Sequence, residues 1–86
     1  MERENIFRLI DEERDRQDKL HPLPKLKKDD SAESQALYNI IYCNEFLAIL
    51  VEELGEVARA LQGEGNLKEE LVQTASVCVR WLEQIK

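Results

Sequence analysis

Residues that break helices are scarce in this chain, which has 3 glycines and 2 prolines among its 86 residues. An all-β protein needs many turns, and turns draw heavily on these two residue types. The composition of 43% hydrophobic and 35% charged residues is instead typical of amphipathic helices with charged surfaces. A chain this short allows one domain. We therefore expect a single all-α domain spanning residues 1–86.

An excess of positive charge is also missing, since the formal net charge is −6. Binding to the nucleic-acid backbone needs a basic patch, and the most basic tract, Lys25–Lys28, is followed at once by Asp29 and Asp30. We expect no nucleic-acid partner. No apolar run reaches the ~18 residues of a membrane span, and the charged N-terminus does not resemble a signal peptide. A cytoplasmic location without a membrane partner is the expectation.

Cysteine is rare, and neither Cys43 nor Cys78 belongs to a CxxC pair or a zinc-type spacing with histidine. Each lies in an apolar stretch of a predicted helix, so we expect both to be buried, reduced thiols. A domain of this size buries only about 60% of its unfolded surface and is marginal alone. Oligomerisation is therefore expected on size alone.

The spacing of the apolar residues predicts three helices. They cover about residues 2–20, 32–62 and 67–86, with a loop at 21–31 and a break at 63–66. The first helix is expected to attach to the others along its first half and near Leu20. Pro22 and Pro24 end it, and Asp30 or Ser31 can cap the second helix. The short break makes the last two helices an antiparallel hairpin.

The last two helices each carry a regular apolar stripe, which predicts their core faces. The stripes are Leu37, Ile40, Asn44, Leu47, Val51, Leu54, Ala58 and Leu61 on the second helix, and Leu71, Ala75, Cys78, Leu82 and Ile85 on the third. A further stripe of the second helix contains Phe46, Ile49, Glu53, Glu56 and Ala60. One short chain cannot cover both stripes of that helix. We therefore expect a dimer or tetramer assembled as a helical bundle.

Two glutamates, Glu53 and Glu56, interrupt the further stripe and should be partly buried. Glu70 and Gln73 have the same three-residue spacing on a side stripe of the third helix, close to the turn. Residues three apart lie on one helix face, so the hairpin should bring the two pairs together. Clustered carboxylates require protons, cationic partners or a metal. Four oxygen-bearing side chains suit a hard cation, Mg²⁺ or Mn²⁺.

Ion pairs can explain the same glutamates without a metal. Arg59, Lys68 and Arg80 are the available cations. Arg80 shares the side stripe of Glu70 and Gln73, so it can either neutralise a glutamate or contact a phosphate. The spacing leaves both interpretations open.

The acidic residues and their surroundings resemble a known family. The runs Glu52-Glu53-Leu54-Gly55-Glu56 and Glu70-Leu71-Val72-Gln73 resemble the EExxE…ExxD signature of the MazG-like all-α nucleoside triphosphate pyrophosphohydrolases. The segments EELGEVARAL and NLKEELVQTASVCVRWLEQI extend the similarity over roughly the C-terminal 40 residues. Residues 13–18 resemble the ERxRQ segment of some small MazG-related proteins. Gln73 departs from the pattern, because the family has aspartate there.

The resemblance implies Mg²⁺-dependent cleavage of a nucleoside triphosphate to the monophosphate and pyrophosphate, by an obligate dimer or tetramer. It implies that Glu53, Glu56 and Glu70 bind the metal, with Gln73 at the fourth ligand position. Glu52 would either support the metal ligands from behind or orient the attacking water, and Glu52 or Glu53 could accept the proton of that water.

Three further residues are candidates for substrate binding. Gln17 and His21 lie at the end of the first helix, where they can reach the base or ribose, and Arg80 can contact phosphate. An exposed loop position before a proline is the more common explanation for such a histidine as His21. The alternative function is a catalytically degenerate oligomerisation or binding module of the same fold, which the glutamine at position 73 favours.

Overall fold

The computed structural model describes residues 1–22 and 31–85, which form the helices α1 (Arg3–Leu20), α2 (Ala32–Leu61) and α3 (Leu67–Gln84). These ranges contain no strand, so the prediction of an all-α chain is confirmed. The helix bounds lie within two residues of those predicted from the sequence. Pro24 and Asp30, which were predicted to end α1 and cap α2, lie outside the described residues. Within the described ranges no helix is long and apolar enough to cross a membrane.

Side-chain caps and one glycine explain where α2 begins and ends and where α3 begins. The Ser31 hydroxyl accepts a hydrogen bond from the backbone N–H of Ser34 at 3.1 Å, and the Asn66 side chain accepts one from the N–H of Glu69 at 3.1 Å. Such caps satisfy backbone donors that have no partner within the helix. Gly63 follows α2 with a φ of +90°, a left-handed conformation that favours glycine and ends the helix. The chain then reverses, and α3 returns antiparallel to α2.

The centre of the molecule is α3, which packs against both α1 and α2. Phe46 on α2 and Val77 on α3 are buried, and the rings of Phe46 and Trp81 stack with centroids 6.1 Å apart. Ser76 is fully buried where α3 faces α1, and its hydroxyl donates to the backbone oxygen of Val72 at 2.7 Å. The small side chain lets α1 and α3 approach closely. The core is consequently narrow and runs along one face of α3.

The faces of α2 and α3 that meet are not those that the apolar stripes predicted. Phe46 belongs to the further stripe of α2, and Val77, four residues after Gln73, lies on the side stripe of α3. Leu54 and Leu82 from the predicted core stripes are 53% and 68% exposed. The predicted intrachain core faces were therefore wrong. The spacing within each helix shows which faces are apolar. The turn between α2 and α3 and the packing of α1 decide which of those faces meet. The apolar spacing within a helix carries no information about the turn or about that packing.

The first half of α1 attaches as predicted, since Ile10 is half-buried and its backbone oxygen accepts a hydrogen bond from the Ser76 hydroxyl at 3.4 Å, but the second half differs from the prediction. Its buried residues are Arg14 and Gln17 in the second half, while Leu20 at the end is 57% exposed. The Arg14 guanidinium donates hydrogen bonds to Asp18 on its own helix and to Glu83 on α3. A polar network thus attaches this part of α1. A search for apolar periodicity misses such a contact because it counts arginine and glutamine as surface residues.

The two cysteines are free, but they are not both buried as expected. Cys43 is half-buried, and its sulfur lies 3.3 Å from Nε1 of Trp81, which donates to it. Cys78 is exposed because it lies on the stripe of α3 that faces away from the core.

Candidate metal centre

Three carboxylates meet at the end of the hairpin next to the turn. Glu53 and Glu56 extend from the last turns of α2, and Glu70 extends from the first turn of α3. One carboxylate oxygen of each lies within 4.8 Å of the others, and all three residues are half-buried. The spacing of three on α2 and the short break before α3 produce this arrangement.

The three carboxylates have few donors to offset their charge. In the described part of the chain, no hydrogen bond reaches the buried Oε2 atoms of Glu53 and Glu70. Burial raises the pKa of Glu53, and the negative charges of Glu56 and Glu70 raise it further. A side-chain hydrogen bond with Glu56 raises the pKa of Glu70, followed by partial burial. Both shifts favour bound protons, as expected for carboxylates held together without a cation.

Of the three cations that could form ion pairs, Arg59 lies beside the cluster. Its Nη2 is 3.9 Å from Oε1 of Glu56, and both side chains are largely exposed, so the pair contributes little. Arg80 instead donates to the backbone oxygen of His21 and lies 3.8 Å from Asp18. Ion pairs among the described residues thus leave most of the repulsion in place. Oxygen ligands with unused lone pairs fit a hard divalent cation.

A cavity of about 330 Å³ opens beside the cluster, between α1 and the α2–α3 hairpin. It is lined by Glu53 and by four other residues that the sequence indicated, namely Gln17, His21, Glu52 and Arg80. Glu52 is exposed at this surface. The structure therefore brings the candidate catalytic and substrate-binding residues to one place.

Among the described residues, Arg80 forms no ion pair with Glu53, Glu56 or Glu70, so it does not neutralise the cluster. The residue is 5% exposed, and its guanidinium holds the end of α1 through the backbone oxygen of His21. Its Nε atom lies 3.8 Å from Asp18 and makes no hydrogen bond with the described residues. Burial lowers the pKa of Arg80, and the nearby Asp18 carboxylate offsets part of that effect. Arg80 is consequently a buried cation in the wall of the cavity.

Gln73 is half-buried and lies one turn after Glu70. It lines a neighbouring cavity of about 400 Å³ together with Glu13, Arg16 and Lys68. No hydrogen bond in the described ranges joins its amide to the three glutamates. The geometry thus puts Gln73 between the acidic cluster and the charged face of α1.

Glu13 and Arg16 were not among the site residues predicted from the sequence. Both line the two cavities, and the Glu13 side chain is 11% exposed. Nε and Nη2 of Arg16 each donate to a different oxygen of Glu13 at 2.7 Å. The charge of Glu13 also contributes to the raised pKa of Glu53. The available signal was helical spacing, because positions 13, 16 and 17 share a face of α1.

No protein-family model, curated protein or solved structure matches the chain. The similarity to MazG-like proteins remains a similarity of short motifs. The functional argument therefore depends on the geometry of the site together with those motifs.

Proposed function

We propose that the chain is a Mg²⁺-dependent nucleoside triphosphate pyrophosphohydrolase that forms the monophosphate and pyrophosphate. The observation that carries this proposal is that Glu53, which lies together with Glu56 and Glu70, also lines a cavity whose wall contains Arg16 and Arg80. A substrate made of a metal ion and phosphates requires carboxylates that bind the cation and, beside them, guanidinium groups that bind the anion. The motif resemblance supplies the type of reaction.

Glu53, Glu56 and Glu70 are the residues that would hold the cation, with the Gln73 amide oxygen available one turn along α3. The donor atoms fit, since the buried Oε2 atoms of Glu53 and Glu70 receive no hydrogen bond from the described residues. When bound, Mg²⁺ or Mn²⁺ supplies charge neutralisation and orients the triphosphate and the attacking water.

The protein's own residues account for substrate binding and proton transfer. Arg16 and Arg80 provide positive charge for the phosphates, which phosphoryl transfer needs for positioning and charge stabilisation. The water oxygen bonds to the α-phosphorus while the bond from that phosphorus to the bridging oxygen breaks, and pyrophosphate leaves with the bridging oxygen. Glu52 at the cavity surface, or Glu53 with its raised pKa, accepts the proton of the water.

The proposal includes a homo-oligomer, a dimer or tetramer, assembled through the open face of α2. The apolar residues of this face are 51–70% exposed, and they are Leu37, Ile40, Leu47, Val51, Leu54 and Leu61. A contiguous apolar patch of this kind is uncommon on a monomer and is typical of an interface. A second copy would cover the stripe whose spacing predicts a core face.

Gln73 favours a second candidate function, a binding module that keeps the fold without catalysis. An amide at this position contributes an oxygen but no charge, so the cluster has one negative charge fewer than the motif it resembles. Such a module would bind a cation or nucleotide without releasing pyrophosphate.

The test is pyrophosphate release from a panel of natural and modified nucleoside triphosphates, with Mg²⁺ and with Mn²⁺. We expect release to require the cation and to be lost in Glu56→Gln. Glu45→Gln is the matched control, because Glu45 is an exposed glutamate on the same helix. Binding of cation and nucleotide without release would support the module, and absence of both would reject the two functions.

A further inference from the structure

The Gln17 side chain is a buried amide with an unused acceptor. The residue is 7% exposed and lines the cavity beside Glu53. Its Oε1 is buried and receives no hydrogen bond from any described residue. A buried carbonyl oxygen without a donor is unfavourable, so a ligand that supplies a donor gains binding energy there.

Glu13 fixes the direction of this amide. Nε2 of Gln17 donates to Oε2 of Glu13 at 3.3 Å, and Arg16 holds both oxygens of Glu13. A carboxylate can only accept hydrogen bonds. Turning the Gln17 amide over would place its oxygen against the Glu13 oxygen, so the orientation with Oε1 free is the stable one. Gln17, a residue of the cavity wall, therefore holds a fixed neutral acceptor.

Part of the cavity also favours a ligand that donates. The carboxylates of Glu52 and Glu53 line the same space, whereas Arg16 and Arg80 are its donors. An uncharged ligand edge that carried only acceptors would face oxygen atoms from several sides. An N–H or O–H group directed at Gln17 avoids this repulsion.

We propose that Gln17 is a specificity residue that accepts a hydrogen bond from a neutral N–H or O–H group on the nucleoside part of the substrate. This inference rests on the proposed function and deepens it, because it assigns the substrate group that the site recognises. The phosphates would bind the cation and the arginines. The base and the sugar are therefore the parts of the substrate that can contact the uncharged amide of Gln17. Two sources carry the required donor, namely an amino or ring N–H group of the base and a hydroxyl of the ribose.

Substrate pairs that differ by one donor test the proposal on the wild-type protein. The base pairs that delete an amino group are ATP with purine riboside triphosphate, CTP with pyrimidin-2-one riboside triphosphate, and GTP with inosine triphosphate. UTP with 3-methyluridine triphosphate and GTP with 1-methylguanosine triphosphate delete a ring N–H. The sugar pairs are each triphosphate with its 2′-deoxy and 3′-deoxy forms. We expect the deletion of one donor group to lower kcat/KM at least about tenfold. The position of that group shows whether Gln17 contacts the base or the sugar. Equal kcat/KM values, within about twofold across all pairs, would overturn the proposal.

Gln17→Met separates recognition from a structural role. Methionine keeps the length of the side chain but has no strong acceptor. We expect the wild-type preference for the donor-bearing substrate to fall to within about twofold in this variant. Gln62→Met, at an exposed position after α2, is the control and should keep the full preference. Equal loss of kcat/KM for both members of the pair, with the preference retained, would show that Gln17 only supports the fold.

Binding measurements distinguish failure of this inference from failure of the proposed function. If wild-type protein releases pyrophosphate from no triphosphate, the proposed reaction is wrong. Calorimetric titration with the corresponding nucleoside monophosphates and Mg²⁺ then tests Gln17 directly. Tighter binding of the donor-bearing member, lost in Gln17→Met, would support the role of Gln17. Equal binding of both members, or no binding, would overturn it.

Discussion

Glu53 on α2 and Glu70 on α3 face each other across the helical hairpin, with oxygen atoms within 4.8 Å of one another and of a Glu56 oxygen. No hydrogen bond from the described residues reaches the buried Oε2 atom of either residue. Their repulsion is relieved either by protons or by a cation. This relationship determines how the protein should respond to metal, pH and substitution.

Removing one charge from the cluster should weaken cation binding. We expect Glu53→Gln, Glu56→Gln and Glu70→Gln each to reduce Mn²⁺ affinity by about tenfold or more, equivalent to ~1.4 kcal/mol. Calorimetric titration measures this directly, and Glu45→Gln should leave the affinity unchanged. Similar losses for Glu45→Gln and Glu53→Gln would contradict the assignment of these residues to different faces.

The raised pKa of Glu53 predicts a pH-dependent effect on stability in the absence of metal. A folded-state pKa above the ordinary value of 4.5 means that the folded protein binds this proton more tightly than the unfolded chain. The resulting stabilisation is present below the ordinary pKa and is lost as the pH rises through the raised one. Glu53→Gln should therefore raise Tm more at about pH 7.5 than at about pH 4.

Thermal melts with chelator at the two pH values check this expectation. Each 1 kcal/mol of relieved repulsion corresponds to about 4–8 °C in a domain of this size. Added Mg²⁺ should reverse the order of the two Tm values at neutral pH, so that wild type melts above Glu53→Gln. The reason is that a cation bound to the folded protein stabilises the wild type. A Tm difference that is the same at both pH values and insensitive to Mg²⁺ would count against repulsion at Glu53.

Gln73→Asp should tighten cation binding in the nucleotide-free protein. The substitution restores a negative charge one turn after Glu70, and charge count sets the affinity of oxygen sites for hard cations. Faster pyrophosphate release together with tighter Mg²⁺ binding would support the enzyme, whereas tighter binding without turnover would support the binding module. Unchanged Mg²⁺ affinity, measured by calorimetry, would show that residue 73 does not face the cluster.

A charge placed on the open face of α2 should dissociate the oligomer. Leu54 is 53% exposed within the chain, so Leu54→Asp removes little intrachain packing and should cost the folded chain little. Light scattering should show at least a dimer for wild type at micromolar concentration and a smaller species for Leu54→Asp. Glu64→Lys in the exposed turn is the control and should leave the mass unchanged. A monomeric wild type would refute the proposed assembly.

Glu13→Gln should relax the recognition assigned to Gln17. An amide at position 13 can present either a donor or an acceptor, so it no longer forces Nε2 of Gln17 toward it. We expect the preference between donor-bearing and donor-deleted substrates to narrow, with a smaller effect on Mn²⁺ affinity than Glu53→Gln has. Ratios of kcat/KM and a metal titration give the two readouts. An unchanged preference would show that Glu13 does not control the orientation of Gln17.

The sequence by itself determined the helices and the acidic cluster. Ser31, Asn66 and Gly63 set helix ends through hydrogen bonds and backbone sterics that act over a few residues, so local pattern is sufficient. The sequence also predicts that Glu53 and Glu70 lie close together, because short-range features fix their positions as well. Their spacing and the short turn after α2 leave the chain little freedom at that end of the hairpin.

Only the tertiary structure decided which helix faces are buried and what surrounds the cluster. The sequence predicts that Leu54 and Leu82 are core residues, but both are exposed. It predicts that Arg14 and Gln17 are surface residues, but both are buried. The rotation of each helix about its axis depends on packing summed over all three helices, and no single helix encodes it. Recognition by Gln17 depends on that rotation, because the cavity exists only where α1 meets the hairpin.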